Sequence, residues 1–235
     1  MITPQLLVLW DIDHTLLQSR GVGREMYVRA VPAAFGRPFV DLADVTGRTE
    51  PDIIAETLEL HGMEPTATNV ARLAEALTAA YEAARAELAE RGRVLPGARE
   101  TLAVLAEDSV IHQGVLTGNL RSVAHVKLET FGLARYLDLD ASAYGGDHHV
   151  RAELVHIARQ RAAERTGVLF DRTHTVLVGD TPRDVEAAHA AGVRVVAVAT
   201  GRSSTAELRA AGAVDVLDDL TDSGLVHRLL IAPDR

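Results

Sequence analysis

The chain has 235 residues, 47% hydrophobic and 24% charged, which is the composition of a globular protein with an ample core. It contains no cysteine, which excludes disulfides, thiol nucleophiles and zinc–cysteine sites. A net charge of -9 argues against a general nucleic-acid binder. No apolar run approaches the ~20 residues that cross a bilayer, and the first residues lack a basic leader. We therefore expect a soluble, cytoplasmic protein without nucleic-acid or membrane partners.

The first half of the chain predicts one strand followed by helices. Leu6–Trp10 is a continuous apolar run, which is typical of a parallel strand buried on both faces. Residues 19–93 are rich in Ala, Leu and Glu and show no convincing strand pattern. We expect several helices there, separated by the four prolines at positions 32, 38, 51 and 65.

From residue 94 onward, helices and apolar strands alternate. Strands are predicted at 110–116, 137–144, 175–178, 193–199 and 214–217, with helices at 99–106, 121–131, 150–165, 183–191 and 205–211. This alternation predicts an α/β fold with a Rossmann-like parallel sheet. Residues 1–18 and 94–235 would form this core, and residues 19–93 would be an inserted helical cap over the sheet.

Polar residues follow three of the predicted strands directly. In open parallel sheets, ligands bind beyond the carboxyl ends of the strands, so these residues should meet at one edge. They comprise four carboxylates and a Thr–Gly pair: Asp11, Asp13, Thr117, Gly118, Asp180 and Asp184. Four crowded carboxylates are costly unless a cation lies among them, and an all-oxygen ligand set suits Mg²⁺.

The same residues suit chemistry on a phosphoryl group. Asp11 and Asp13 lie two apart in an extended segment, so one can attack while the other carries a proton. Thr117 offers a hydroxyl, and Gly118 lets its backbone N–H approach an anion closely. We therefore expect this edge of the sheet to hold a phosphoryl group.

These motifs resemble the haloacid dehalogenase superfamily of hydrolases over essentially the whole chain. The first motif, D-x-D-x-T, is matched at residues 11–15, the second at Thr117, and the fourth, G-D-x-x-x-D, at residues 179–184. The Leu-Pro-Gly at 95–97 and the Ala-rich run at 187–192 resemble the branch of phosphoglycolate phosphatase and β-phosphoglucomutase. Each motif alone is weak, but all of them in order, each after an apolar strand, are highly specific.

The resemblance implies a role for each motif residue. Asp11 would be the nucleophile that forms an aspartyl-phosphate, and Asp13 would protonate the leaving group and then activate water. Thr117, the N–H of Gly118 and the neighbouring Asn119 would contact the substrate phosphate. The metal site would consist of Asp11, the carbonyl of Asp13, Asp180 and, directly or through water, Asp184. The substrate would be a small phosphorylated metabolite, because the cap closes over the site.

Two positions depart from the family pattern. His14 stands where the first motif usually has Gly, and it could reach toward the substrate. The third motif is a cation, normally Lys, and two residues compete for it. Arg151 has the expected position at the start of a helix, whereas Lys127, the only lysine, has the expected side chain. Lys127 lies roughly 9–10 Å along its helix from the second motif, so geometry favours Arg151.

Several functions share these motifs. In the cap, the loop at 46–49 resembles a substrate-contacting loop of the phosphoglucomutase-like branch, which makes Arg48 a candidate substrate ligand. We predict a Mg²⁺-dependent phosphatase; the alternatives are a phosphoglucomutase-like phosphotransferase and a non-catalytic binding protein. Asp13 argues against a dehalogenase, which lacks that carboxylate. The absence of lysine between Asp13 and Pro96 excludes the Schiff-base mechanism of phosphonate-cleaving relatives.

Overall fold

A parallel sheet of six strands forms the centre of the molecule in a computed structural model, which describes residues 5–232. The strands of the described chain are β1 (Leu6–Trp10), β2 (Leu17–Gln18), β3 (Arg93–Val94), β4 (Ile111–Thr117), β5 (Ala143–Tyr144), β6 (Thr175–Gly179), β7 (Arg194–Val198) and β8 (Asp215–Leu217). The sheet has the order β5-β4-β1-β6-β7-β8, and each neighbouring pair is parallel. This arrangement confirms the predicted α/β fold.

Helices cover the sheet and form a layer beside it. The described α-helices are α1 (Val22–Phe35), α2 (Glu50–Leu60), α3 (Ala67–Ala83), α4 (Arg85–Arg91), α5 (Ala98–Glu107), α6 (Arg121–Thr130), α7 (Arg151–Thr166), α8 (Pro182–Ala191), α9 (Thr205–Ala210) and α10 (Ser223–Ile231). Within residues 5–232, no helix is both long and apolar enough to span a membrane.

The central strand β1 is buried on both faces, as its continuous apolar run predicts. Val8 and Trp10 belong to the hydrophobic cluster on one face of the sheet, with residues of α5, α6 and α10. Leu7 and Leu9 belong to the cluster on the other face, with residues of α7 and α8. The alternation of side chains along a strand explains why neighbouring residues enter different clusters.

Helices α1–α4, which we call the helical layer, pack around a third hydrophobic cluster. This cluster is centred on buried residues such as Met26, Ile54 and Leu77, and it also takes in Val123 and Val126 of α6. The two chain segments that connect the layer to the sheet pair with each other as the antiparallel β2–β3 ribbon. The division into a core (1–18 and 94–235) and a cap (19–93) stays a prediction.

Two local predictions were wrong, and one helix was not predicted. Pro32 does not end a helix, because it lies in the last turn of α1, where it removes only one backbone hydrogen bond. Only Ala143–Tyr144 of the predicted strand 137–144 forms a strand. Leu139–Ala141 is a 3-10 turn instead, since the side chain of Asp138 accepts hydrogen bonds from the N–H groups of Asp140 and Ala141. Helix α10 lies in a segment for which we had predicted no element.

Candidate active site

The carboxyl ends of three neighbouring strands place the motif residues at one edge of the sheet. Strand β1 pairs with β4 on one side and with β6 on the other. Asp11 directly follows β1, Thr117 ends β4, and Asp180 directly follows β6. All three residues are buried. The parallel sheet therefore brings together residues that lie between 63 and 169 positions apart in sequence.

Three carboxylates form a cluster at this edge. Asp11, Asp180 and Asp184 each offer one oxygen, and these three oxygens lie within 4.8 Å of one another. Burial, together with the neighbouring carboxylates, raises the pKa of Asp11 to about 7, although Arg151 opposes the shift. The same causes raise the pKa of Asp180 to about 8. An all-oxygen cluster of crowded carboxylates fits a hard divalent cation such as Mg²⁺.

Arg151 bridges two of these carboxylates from the first residue of α7. Its Nη2 lies 3.0 Å from Asp11 and 2.5 Å from Asp184. The second oxygen of Asp184 accepts hydrogen bonds from the backbone and hydroxyl of Thr181, at 3.0 and 2.6 Å. Burial opposes the charged guanidinium, but the two carboxylates raise the pKa of Arg151 above its usual range. Arg151 thus contacts the carboxylate that the resemblance assigns as nucleophile.

Lys127 also reaches the site, but through the other carboxylate of the first motif. Its Nζ donates to both oxygens of Asp13, at 2.9 and 2.7 Å, and to Oδ1 of Asn119 at 2.7 Å. Burial would raise the pKa of Asp13, but Lys127 and the Asn119 amide lower it below its usual value. The Asp13 carboxylate therefore lies against Lys127 and is not part of the three-carboxylate cluster, which consists of Asp11, Asp180 and Asp184.

The estimate that Lys127 is too distant from the second motif was wrong. Side chains on a helix tilt toward its N-terminus, so Lys127 extends back along α6 toward the end of β4. Asp13 lies in the loop after β1, close enough to the end of β4 for the Lys127 ammonium to reach its carboxylate. Both candidate cations are consequently present in the site, each on a different carboxylate.

Thr117, Gly118 and Asn119 form a tight turn beneath a loop of the helical layer. The Asn119 amide donates to Thr117 Oγ1 at 2.8 Å and to Asp13 Oδ2 at 2.7 Å, so it is engaged within the protein. A Cβ added at Gly118 would lie 2.1 Å from the carbonyl oxygen of Arg48. The carbonyl of Gly118 accepts a hydrogen bond from the N–H of Glu50 at 2.7 Å. Glycine is required here because two backbones meet.

His14 and Arg48 line the cavity beside the carboxylates but already have partners. His14 adopts a left-handed φ of 65°, which agrees with the glycine that usually occupies its position, and its carbonyl accepts a hydrogen bond from Thr200. The Arg48 guanidinium pairs with Glu56 and donates to two backbone carbonyls. The structure therefore brings both residues to the cavity, with Arg48 held by its own loop and by helix α2.

Sequence reasoning missed several residues of the site. Thr181 forms a capping box at the start of α8 with Asp184, which the sequence analysis had already assigned to the site, and this pattern was recognisable in the sequence. A Cβ at Gly201 would lie 1.7 Å from Asp180, so this glycine allows the loop after β7 to approach the carboxylates. Glu50 and Tyr81 of the helical layer also line the cavity. Their positions carried no signal, because they follow ordinary helical patterns.

The cavity between the helical layer and the sheet edge has a volume of about 440 Å³. Its lining includes Asp11, Asp13, Thr117, Gly118 and Asp180. This volume falls in the range of small-molecule sites, roughly 300–1,000 Å³. The arrangement can therefore enclose a small ligand beside the carboxylates.

Residues 6–192 match the family model of the haloacid dehalogenase-like hydrolases. The chain belongs to this family. A phosphoglycolate phosphatase from Rhodospirillum rubrum is 34% identical over 131 residues, which cover 56% of this chain and 52% of that protein. A plasmid-borne phosphoglycolate phosphatase from Cupriavidus necator is 28% identical over 223 residues, which cover 92% of this chain and 90% of that protein.

Solved structures also resemble this haloacid dehalogenase-like hydrolase. A hydrolase from Pseudomonas syringae superposes with a TM-score of 0.70 at 23% identity, over 97% of this chain and 99% of that one. This likeness shows the shared fold. The family match and the two curated relatives support a phosphatase that acts on phosphoric monoester bonds.

Proposed function

We propose that the protein is a Mg²⁺-dependent phosphatase that hydrolyses a small phosphomonoester through an aspartyl-phosphate on Asp11. The observation that carries this proposal is the position of Asp11, which contacts Arg151 and shares a carboxylate cluster with Asp180 and Asp184. The helical layer would act as the cap that excludes water from the cavity. We also propose a cytoplasmic location and no nucleic-acid partner, as the composition suggests.

In the first step, a carboxylate oxygen of Asp11 attacks phosphorus and the bond from phosphorus to the leaving oxygen breaks. Asp13 gives a proton to that leaving oxygen, which departs as an alcohol. Thr117 and the N–H of Gly118 hold the phosphoryl oxygens, and Arg151 balances the charge of Asp11. The product is an acyl phosphate on Asp11.

In the second step, water attacks phosphorus and the bond to Asp11 breaks, which releases inorganic phosphate. Asp13 takes the proton from this water. Lys127 favours the ionised, proton-accepting form of Asp13, because its ammonium lowers the pKa of that carboxyl group. The two cations thus contact different carboxylates. Arg151 contacts the nucleophile Asp11, and Lys127 contacts Asp13, the general acid and base.

The metal would be held by Asp11, the backbone carbonyl of Asp13 and Asp180, with Asp184 in support. When bound, Mg²⁺ supplies positive charge that stabilises the transferring phosphoryl group. The crowded, all-oxygen cluster fits this ion, since its carboxylates would otherwise repel one another.

The proposal is tested by measuring hydrolysis of p-nitrophenyl phosphate and a panel of small phosphate esters, with and without Mg²⁺. We expect Mg²⁺-dependent release of phosphate by the wild type and its loss in Asp11→Asn. Asp218→Asn is the control, because it removes an exposed carboxylate that does not line the cavity. Equal activity of wild type and Asp11→Asn would contradict the proposal. Transfer of phosphate to a sugar instead of water would indicate a mutase.

A further inference from the structure

Three cavity-lining carboxylates have no part in the phosphoryl chemistry described above, and of these Asp41 and Asp44 are exposed whereas Glu50 is partly buried. Glu50, the first residue of α2, lines the cavity, and its Oε1 accepts a hydrogen bond from the Tyr27 hydroxyl at 2.5 Å. The backbone N–H of Glu50 donates a hydrogen bond to the carbonyl of Gly118, which holds Glu50 beside the turn at residues 117–119. Burial raises the pKa of Glu50 above its usual value, although the Tyr27 hydrogen bond opposes this. Glu50 is therefore a hydrogen-bond acceptor held in position inside the cavity, beside the Gly118 turn.

The cations around Glu50 are already engaged with other carboxylates. Lys127 donates hydrogen bonds to Asp13 and Asn119, and Arg48 is paired with Glu56. The other cavity-lining arginines of the helical layer and α7 have acidic partners too: Arg24 pairs with Asp41, and Arg151 with Asp11 and Asp184. Among residues 5–232, the remaining cavity-lining cation is Arg202, which is exposed on the loop after β7.

This distribution of charge selects between two kinds of leaving group. A leaving group with its own carboxylate would face Glu50 without a free cation from the helical layer, and bringing two carboxyl groups together in a buried site disfavours the ionised form of both. A leaving group with hydroxyls would donate a charge-assisted hydrogen bond to Glu50. The cavity of about 440 Å³ leaves room for such a group beyond the phosphate.

We propose that Glu50 accepts a hydrogen bond from a leaving-group hydroxyl, so that the enzyme selects phosphate esters of polyols or sugars over esters that carry a carboxylate. This inference rests on the proposed phosphatase function and deepens it. It separates the chain from the substrate for which the two curated relatives are named, since phosphoglycolate carries a carboxylate on its leaving group.

The test uses two matched pairs of substrates that differ by a carboxylate in place of a hydroxymethyl group. The pairs are phosphoglycolate with 2-hydroxyethyl phosphate, and 3-phosphoglycerate with glycerol 3-phosphate. For the wild type with Mg²⁺, we expect kcat/KM to be about 10-fold or more higher for the hydroxyl member of each pair. In Glu50→Gln, we expect this ratio to fall about 10-fold, with the carboxylate members gaining activity.

Two further variants keep the test decisive. Glu59→Gln makes the same charge change at an exposed position of α2, and we expect it to retain the wild-type ratio. If Glu50→Gln does not fold, Tyr27→Phe removes the hydroxyl that orients Glu50 and should also lower the ratio. A wild-type preference for the carboxylate members, or a ratio unaffected by Glu50→Gln, would overturn the inference.

The proposed function and this inference can fail separately. Hydrolysis of p-nitrophenyl phosphate without any preference within the pairs would overturn only the role of Glu50. No hydrolysis of p-nitrophenyl phosphate or of any pair would overturn both the phosphatase and the selectivity that rests on it.

Discussion

The Nζ of Lys127 donates hydrogen bonds to both carboxylate oxygens of Asp13, at 2.9 and 2.7 Å. Arg151 forms the corresponding pair with Asp11 at 3.0 Å. The site therefore has two separate cation–carboxylate pairs where the family pattern suggests one conserved cation. The two aspartates of the first motif differ in electrostatic state, because Lys127 lowers the pKa of Asp13 whereas burial raises that of Asp11 in spite of Arg151.

Removing the lysine should therefore change how activity depends on pH. In Lys127→Met, the pKa of Asp13 rises, so Asp13 that has given its proton to the leaving group is more often reprotonated before it can accept a proton from water. We expect kcat to fall about 10²-fold or more, with a steeper loss on the acidic side of the pH profile. Ser122→Ala on the same helix is the control, since it removes only a hydrogen bond to Thr78. A pH profile identical to that of the wild type would contradict this role.

Two substitutions of Arg151 distinguish the contribution of its positive charge to kcat from that of its forked guanidinium. Arg151→Met leaves Asp11 and Asp184 close together without their shared cation, and we expect kcat to fall about 10²–10³-fold. Arg151→Lys keeps a point charge but loses the forked contact to both carboxylates, so we expect a smaller loss, about 10-fold. Steady-state kinetics on one phosphate ester measure both effects. Wild-type kcat in Arg151→Met would refute the contribution of this cation.

The close backbone contact at Gly118 makes a prediction about stability. In Gly118→Ala, the new Cβ would meet the carbonyl of Arg48, and the loop must move away. We expect the free energy of unfolding to fall by about 1–3 kcal/mol, measured by denaturant titration. Gly146→Ala is the matched control, because no heavy atom lies within 4 Å of its added Cβ, and we expect a change within about 0.5 kcal/mol. Equal stability of both variants would contradict the contact.

Metal binding should stabilise the protein more at high pH. Folding raises the pKa of Asp11 to about 7 and that of Asp180 to about 8, from about 4 in the unfolded chain. Stability from these buried, protonated groups is complete below about pH 4 and is lost as the pH rises through about 7–8. Because Mg²⁺ binds the ionised carboxylates, we expect it to raise Tm more near pH 8 than near pH 5.5.

Thermal unfolding with and without MgCl₂ at both pH values measures this difference. Asp180→Asn should lose most of the Mg²⁺-induced rise in Tm, because one ligand of the cluster is removed. A rise in Tm that is independent of pH, or that is unchanged in Asp180→Asn, would contradict the proposed metal site.

The sheet and the position of the carboxylates could be predicted from the sequence because they depend on local patterns. The apolar run before Asp11 and the alternation after residue 94 both follow from strand and helix periodicity. The order of strands then brings Asp11, Thr117 and Asp180 to one edge, as the topology of open parallel sheets requires.

The remaining features depend on side-chain reach and on tertiary contacts. Distance along a helix axis did not reveal that Lys127 extends back to a partner on another loop. The side chain of Asp138 competes with strand hydrogen bonds, and no hydrophobic pattern reports this competition. Glu50 starts an ordinary helix, and only the packing of the helical layer on the sheet places it in the cavity.

The central claim is that Asp11 carries the phosphoryl group during turnover. The most direct measurement is acid quenching of the Asp13→Asn variant during turnover of an isotopically labelled aryl phosphate, followed by mapping of the label to a peptide. An aryl leaving group needs little protonation, whereas loss of the base slows hydrolysis of the acyl phosphate, so the intermediate should accumulate. The account predicts label on the peptide that contains Asp11 and none in the Asp11→Asn, Asp13→Asn double variant. Phosphate release without label on Asp11, or label on another residue, would contradict it.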